Sequence, residues 1–146
     1  MYTRRKSTLV RCVAFLLVMG MVFPLSTSAV VHPRASAYLD NYNAYVYLPG
    51  NGEVHVYFNA QGTNTMDELG ALSVSIYEST DGTYWTWKKT FTHDSTSGML
   101  SYNDDLHASH VTYNGVAGRY YKAYVCIWGG KDGKGDTRYF WTSAKH

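Results

Sequence analysis

Cysteine is almost missing: the chain of 146 residues has two, Cys12 and Cys126. Cys12 falls in a segment expected to be removed, so Cys126 would stand alone and no internal disulfide can brace the folded part. Cys126 is expected to be a small buried apolar residue; a free thiol that pairs two copies is the alternative. Proline is scarce as well, with three residues, and no window of a dozen residues repeats its apolar positions every 3.6 residues. That argues against helices. Charged residues make up only 16% of the chain. Four of the 13 basic residues (Arg4, Arg5, Lys6, Arg11) precede Ala29, whereas all 11 acidic residues follow it. Nine basic against 11 acidic residues leave no basic stripe for nucleic acid. There is no Gly-x-Ser-x-Gly elbow and no phosphate-cradling glycine loop, and no catalytic set stands out.

The N-terminus carries a targeting pattern. A basic start leads into an apolar run from Cys12 to Leu25, then into Ser26-Thr27-Ser28-Ala29. These are the three regions of a secretory signal peptide. The run has 14 residues, short of the roughly 20 that span a bilayer as a helix, although an uncleaved anchor is the alternative. Cleavage is expected after Ala29, with Ala35-Ser36-Ala37 as a second site. The organisation expected is a signal peptide over 1–29, a flexible segment over 30–37 and one domain over 38–146. Membrane contact would occur only through the signal peptide during export. No terminal apolar tail follows Trp141, so release to the outside, a secreted localisation, is expected.

Strand signals fill the domain. Fourteen tyrosines and four tryptophans favour β-structure. Tyr38 to Leu48 reads as a first strand, closed by Pro49-Gly50-Asn51-Gly52 as a turn. From Glu53 to Ala60 the alternation is clean, with Val54, Val56, Phe58 and Ala60 on one face. Gln61 to Gly70 reads as a connection in which Thr65 caps one helical turn and Met66 and Leu69 plug the core. Leu72 to Phe91 has period two on both sides of Asp81-Gly82, a hairpin signal that puts Trp85, Trp87 and Phe91 on one apolar face. Thr92 to Leu106 reads as a long connection with at most a short edge strand. His110 to Tyr113 and Tyr120 to Trp128 follow as strands, the second with Tyr121, Ala123, Val125 and Ile127 on one face. Gly129 to Asp136 reads as a flexible hairpin loop and Thr137 to Thr142 as the last strand. About seven short strands predict an all-β fold, a single antiparallel β-sandwich. Its expected core includes Phe58, Val74, Ile76, Trp85, Ala123, Val125 and Ile127.

Gly118, Tyr120-Tyr121, Ala123 and Val125 resemble the sixth strand of immunoglobulin-like and fibronectin type III-like modules. The Tyr113-Asn114-Gly115 corner, the strand Thr137-Arg138-Tyr139, and Ile76 to Gly82 with Trp85 fit the same pattern. The whole chain after Ala29 is similar to small secreted proteins of Gram-positive bacteria, a family without an assigned activity. The resemblance implies a fold and no chemistry. The paired cysteines of true immunoglobulin domains are missing.

Two constellations suggest metals and neither is complete. His107 and His110 are three apart, which on a strand sends them to opposite faces, and no further His or Cys cluster supplies the ligands of a zinc site. Asp132, Lys134 and Asp136 resemble a calcium loop with a lysine in the third alternate position and no bidentate Glu. No metal and no cofactor is expected, and the chain is read as a non-enzymatic binding or interaction module. Its partner would be an extracellular protein or glycan. The aromatics carry that reading. Only Tyr2, Phe15 and Phe23 precede Ala29, and the remaining rings exceed what one small core can bury. Some of Tyr45, Tyr47, Tyr57, Tyr84, Tyr124 and Trp128 must face water, and exposed rings on a sheet stack on sugars or anchor proteins. Tyr84, Tyr124 and Trp128 are the candidate ligand-binding residues, and a carbohydrate-binding module is one alternative. Another starts from His107-Ala108-Ser109-His110-Val111, Ala117-Gly118 and Lys122-Ala123. These resemble part of the lactococcin 972-like bacteriocins over under a third of the domain, and imply a secreted antibacterial polypeptide.

Overall fold

A computed structural model describes residues 36–146. The signal peptide and both cleavage sites lie wholly or partly outside the described residues. Six strands carry the fold: β1 (Leu39–Gly50), β2 (Glu53–Ser79), β3 (Thr86–Thr92), β4 (Leu100–Asn114), β5 (Tyr120–Lys131) and β6 (Lys134–Trp141). All pairings are antiparallel and all six strands belong to one sheet. The all-β antiparallel class read from the alternation is therefore what the chain adopts, with six strands rather than about seven.

The organising element is β2, 27 residues long. Its first half pairs with β1 on one edge and β4 on the other. Its second half pairs with β5 and, across the other edge, with the start of β4 and then β3. The sheet curls along this strand. Tyr42 on β1 meets Phe140 on β6 at 5.4 Å, and Tyr113 on β4 meets Tyr121 on β5 at 6.5 Å. These contacts bring the inner faces of the two halves together around one core. Val54, Val56, Phe58 and Ala60 from the first half join Val74, Ile76, Ala123, Val125 and Ile127 from the second, all at most 2% exposed. Each of the larger ones contributes roughly 1.5–3 kcal/mol on burial. Alternation alone predicted these positions, because a curled sheet leaves each strand one dry face.

Four expectations are corrected. Gln61 to Gly70 is continuous strand, with no helical turn at Thr65. Met66 and Leu69 are buried at 1% and 0%, as plugs of the core should be, but from an irregular strand whose register slips between Gln61 and Met66. Glycine makes that passage possible. At Gly70, φ is +144° and an added Cβ would stand 2.2 Å from the Met99 carbonyl oxygen, a site closed to other residues. Second, the polar stretch before Leu106 is half of β4, and the true connection is His93 to Met99. The start of β4 pairs with β2 through Leu69↔Ser101 and Glu68↔Tyr102. Being mostly exposed there, it carries little apolar periodicity to read.

Third, Trp85 and Trp87 are not core. The β2–β3 register slips between Ile76↔Lys89 and Tyr77↔Trp87, so Lys88 bulges and the side chains before it change face. Phe91 stays inside at 8% exposure, while Trp87 emerges at 56%. Fourth, Gly129 to Asp136 is no flexible loop. Strands β5 and β6 continue to a two-residue turn, Asp132-Gly133, with φ of 53° and 71°, the twist that suits tight hairpins. Asn51-Gly52 makes the equivalent turn between β1 and β2. Of the segment 30–37 expected to be flexible, residues 36 and 37 are described and both are tied down. The Ser36 hydroxyl donates to Asp136, and the Thr63 hydroxyl donates to the Ala37 carbonyl at 2.8 Å.

Candidate functional site

The outer face of the second half of the sheet is aromatic. Alternation along β5 turns Lys122, Tyr124, Cys126 and Trp128 outward, because Tyr121, Ala123, Val125 and Ile127 fill the core. Neighbouring strands add rings in register. Tyr77 on β2 lies between Trp87 and Lys122, Tyr124 lies between Ser75 and Trp141, and Cys126 lies between Ser73 and Tyr139. Tyr77 meets Trp141 edge-on at 4.9 Å, and Tyr124 meets Trp141 at 4.9 Å and Tyr139 at 6.0 Å. Trp87, Trp141 and Tyr139 are 56%, 48% and 62% exposed. Tyr77, Trp141, Tyr124 and Tyr139 are thus braced against one another, and Trp87, Trp141 and Tyr139 are open to solvent.

Polar groups are threaded between the rings. Ser75 and Thr90 share a 2.7 Å hydrogen bond, and the Trp87 indole N–H donates to the Thr90 hydroxyl at 3.0 Å. The side chains of Tyr139 and Ser73 lie against the Cys126 sulfur. Burial pushes the Cys126 thiol up, against the opposing effect of Tyr139 and Ser73, and the contact with Cys126 raises the Tyr139 hydroxyl in turn. A thiol pushed up by burial is a weaker nucleophile; Cys126 lies beneath Tyr139, its partner in the register of β5 and β6.

Trp128 ends this face in a cleft of about 390 Å³ that it lines with Tyr102, Asp67, Glu68, Lys131 and Lys134. Its indole N–H donates to Glu68 at 3.2 Å. The ring occupies the space over Gly130 and Gly135, where an added Cβ would stand 2.5 and 2.3 Å from ring atoms. Two further bonds clamp the β5–β6 turn onto β2: Lys131 Nζ to the Thr65 carbonyl at 3.0 Å, and the Asp132 N–H to Asp67 at 2.7 Å.

Another aromatic cluster covers the outside of the first half. Tyr45 stacks on Tyr57 at 5.2 Å, Tyr57 on His110 at 5.0 Å, and His55 on His110 at 5.6 Å with planes 1° apart. His107 faces the other way, its ring 6.1 Å from Phe58 and its Nε2 3.1 Å from the Gly98 carbonyl oxygen. The two histidines therefore point to opposite sides of β4. Among the described residues no group of three or more His, Cys, Asp or Glu is placed to hold a metal ion.

No family model matches the chain, and no curated protein matches it in sequence. One solved structure is similar in part: Spo0M, a sporulation control protein from Bacillus subtilis, with 10% identity and a TM-score of 0.38. The similarity covers 70% of this chain and 47% of that protein, so the chain spans about half its length. It does not support assignment to the immunoglobulin-like or fibronectin type III-like family.

The three residues singled out from the sequence are dispersed. Tyr124 stands in the middle of the outer aromatic face and Trp128 at its end, four residues along the same strand. Tyr84 lies in the loop between β2 and β3, 80% exposed. That loop is shaped by Asp81, which accepts the N–H groups of Thr83 and Tyr84 at 2.8 and 3.0 Å; these bonds hold its carboxyl below the usual value. Sequence reasoning missed Tyr77, Trp85, Trp87, Tyr139 and Trp141. For the last two a signal existed: they are two apart on the closing strand and share the parity of exposed positions. For Trp87 none did, since the bulge at Lys88 leaves no mark in the residue pattern.

Proposed function

We propose that the protein is a secreted, non-enzymatic binding module whose ligand is a glycan laid across the outer aromatic face. The observation that carries this reading is the braced row Tyr77, Trp141, Tyr124 and Tyr139, with Trp87 in register beside Tyr77 and three of the five rings about half exposed or more. Exposed aromatic patches of this extent mark interaction surfaces. A glycan suits this one because ring faces alternate with the hydroxyls of Ser75, Thr90 and the tyrosines. Sugars offer the same alternation of C–H faces and hydroxyls, whereas a protein partner favours a dry, continuous apolar centre. Export is supported by the basic, apolar and small-residue pattern before Ala29. A non-catalytic role is supported by the buried, protonated Cys126 and by the separation of His107 from His110.

The test is a glycan array probed with purified protein, followed by titration calorimetry on the strongest glycan. Trp141→Ala and Tyr124→Ala should each weaken binding about fivefold or more, at about 1–3 kcal/mol per stacked ring. Wild-type affinity in either variant would refute the proposal. Tyr45→Ala, on the opposite half of the sheet, should leave binding unchanged.

A further inference from the structure

One cation stands inside the aromatic face. Lys122 lies on β5 opposite Tyr77, and its Nζ is 4.4 Å from the ring centroids of both Trp85 and Trp141. The two indoles flank the ammonium of this half-buried lysine, a cation–π arrangement in which each ring face attracts the charge. The charge is not cancelled. Among the described residues no carboxylate pairs with Lys122, and its outward neighbours Tyr77, Tyr124, Trp85, Trp87 and Trp141 are all uncharged. Glu78, one residue beyond Tyr77, is turned inward, where it accepts the Tyr121 hydroxyl at 2.7 Å and pairs with Lys88 at 3.4 Å. Acidic residues outnumber basic ones after Ala29, yet the residues paired with or stacked around Lys122 include no acid.

We infer, on the reading that this face binds a glycan, that the glycan is acidic, its sugar rings stacked on Trp141 and Tyr124 and a uronate carboxylate on the Lys122 ammonium. Two physical arguments select this ligand. A slot between aromatic rings is a receptor for cations, but here the protein fills it with its own lysine, so a cationic ligand would have to displace Lys122. A carboxylate instead meets an ammonium already fixed in place, and a charge-assisted hydrogen bond forms without further ordering of a flexible side chain. A neutral glycan would leave that charge unused and would have to share its partial desolvation.

The experiment titrates the purified protein with oligogalacturonate and oligoglucuronate, each beside its methyl ester, which keeps the rings and removes the charge. The wild type should bind at least one acid tenfold or more tightly than its ester, and lose that advantage as salt is raised. Lys122→Met, which keeps the length of the stem, should bind acid and ester alike, and Lys122→Arg should restore the preference. Equal binding of acid and ester by the wild type, binding of neither acid, or a preference that survives in Lys122→Met would overturn the inference. If neutral glycans still bind and Trp141→Ala abolishes that binding, the glycan-binding reading stands and only its acidic character falls. If no glycan binds, both fall.

Discussion

Replacing Tyr121 by phenylalanine removes one oxygen from a site where that oxygen has two strong partners. The ring is 1% exposed, the hydroxyl donates to Glu78 Oε2 at 2.7 Å, and it accepts the Val116 N–H at 2.7 Å. The bond to the carboxylate is worth about 1.5–3 kcal/mol, and the lost bond to the amide of Val116, a residue 53% exposed, adds about 0.5–1.5 kcal/mol. Lys88 at 3.4 Å offsets part of the loss at Glu78. Together these place the destabilisation at about 2–4 kcal/mol, a large share of the roughly 5–15 kcal/mol that holds a domain folded. Urea denaturation should show a lower midpoint with an unchanged slope. The pH dependence supplies an independent check. Burial, with the nearby Glu78 adding to it, pushes the Tyr121 hydroxyl up to about 12 from an ordinary 10. A group with a raised folded-state pKa adds stability that is fully present below pH 10 and is lost as pH rises through about 12. The gap between wild type and Tyr121→Phe should therefore narrow between pH 10 and 12. A loss under about 1 kcal/mol at neutral pH, or a gap that widens with alkali, would refute the reasoning.

Other substitutions separate the causes that shape the sheet. Gly133→Ala meets no atom within 4 Å, so only its φ of +71° resists; it should cost about 1–2 kcal/mol in thermal unfolding. Gly70→Ala adds a collision with the Met99 backbone and should cost about 3–4 kcal/mol. A smaller effect there than at Gly133 would contradict the close approach. Cys126 is 4% exposed and its thiol is pushed up by burial, so a disulfide reagent should label it only in denaturant. Rapid labelling of the folded protein at neutral pH would place it at the surface instead.

The residue sequence by itself determined the strand faces that are dry. Val54, Val56, Phe58, Ala60, Tyr121, Ala123, Val125 and Ile127 read as inward from alternation alone, because the pleat sends every second side chain to one side. It also determined the turn at Asn51-Gly52, where two residues of positive φ are needed. Only the tertiary structure decided the rest. The passage from Gln61 to Gly70 stays extended because β4 supplies partners that lie tens of residues away, and no local pattern can reveal a distant ladder. The first part of β4 was illegible for the same reason: an edge exposed on both faces has nothing apolar to repeat. The candidate site depended on this level most of all. Tyr124 and Trp128 could be placed outward by parity, but Trp87 reached the surface through a bulge that depends on pairing with β2. Lys122 acquired its two indoles because a loop on one side and β6 on the other fold over the same strand.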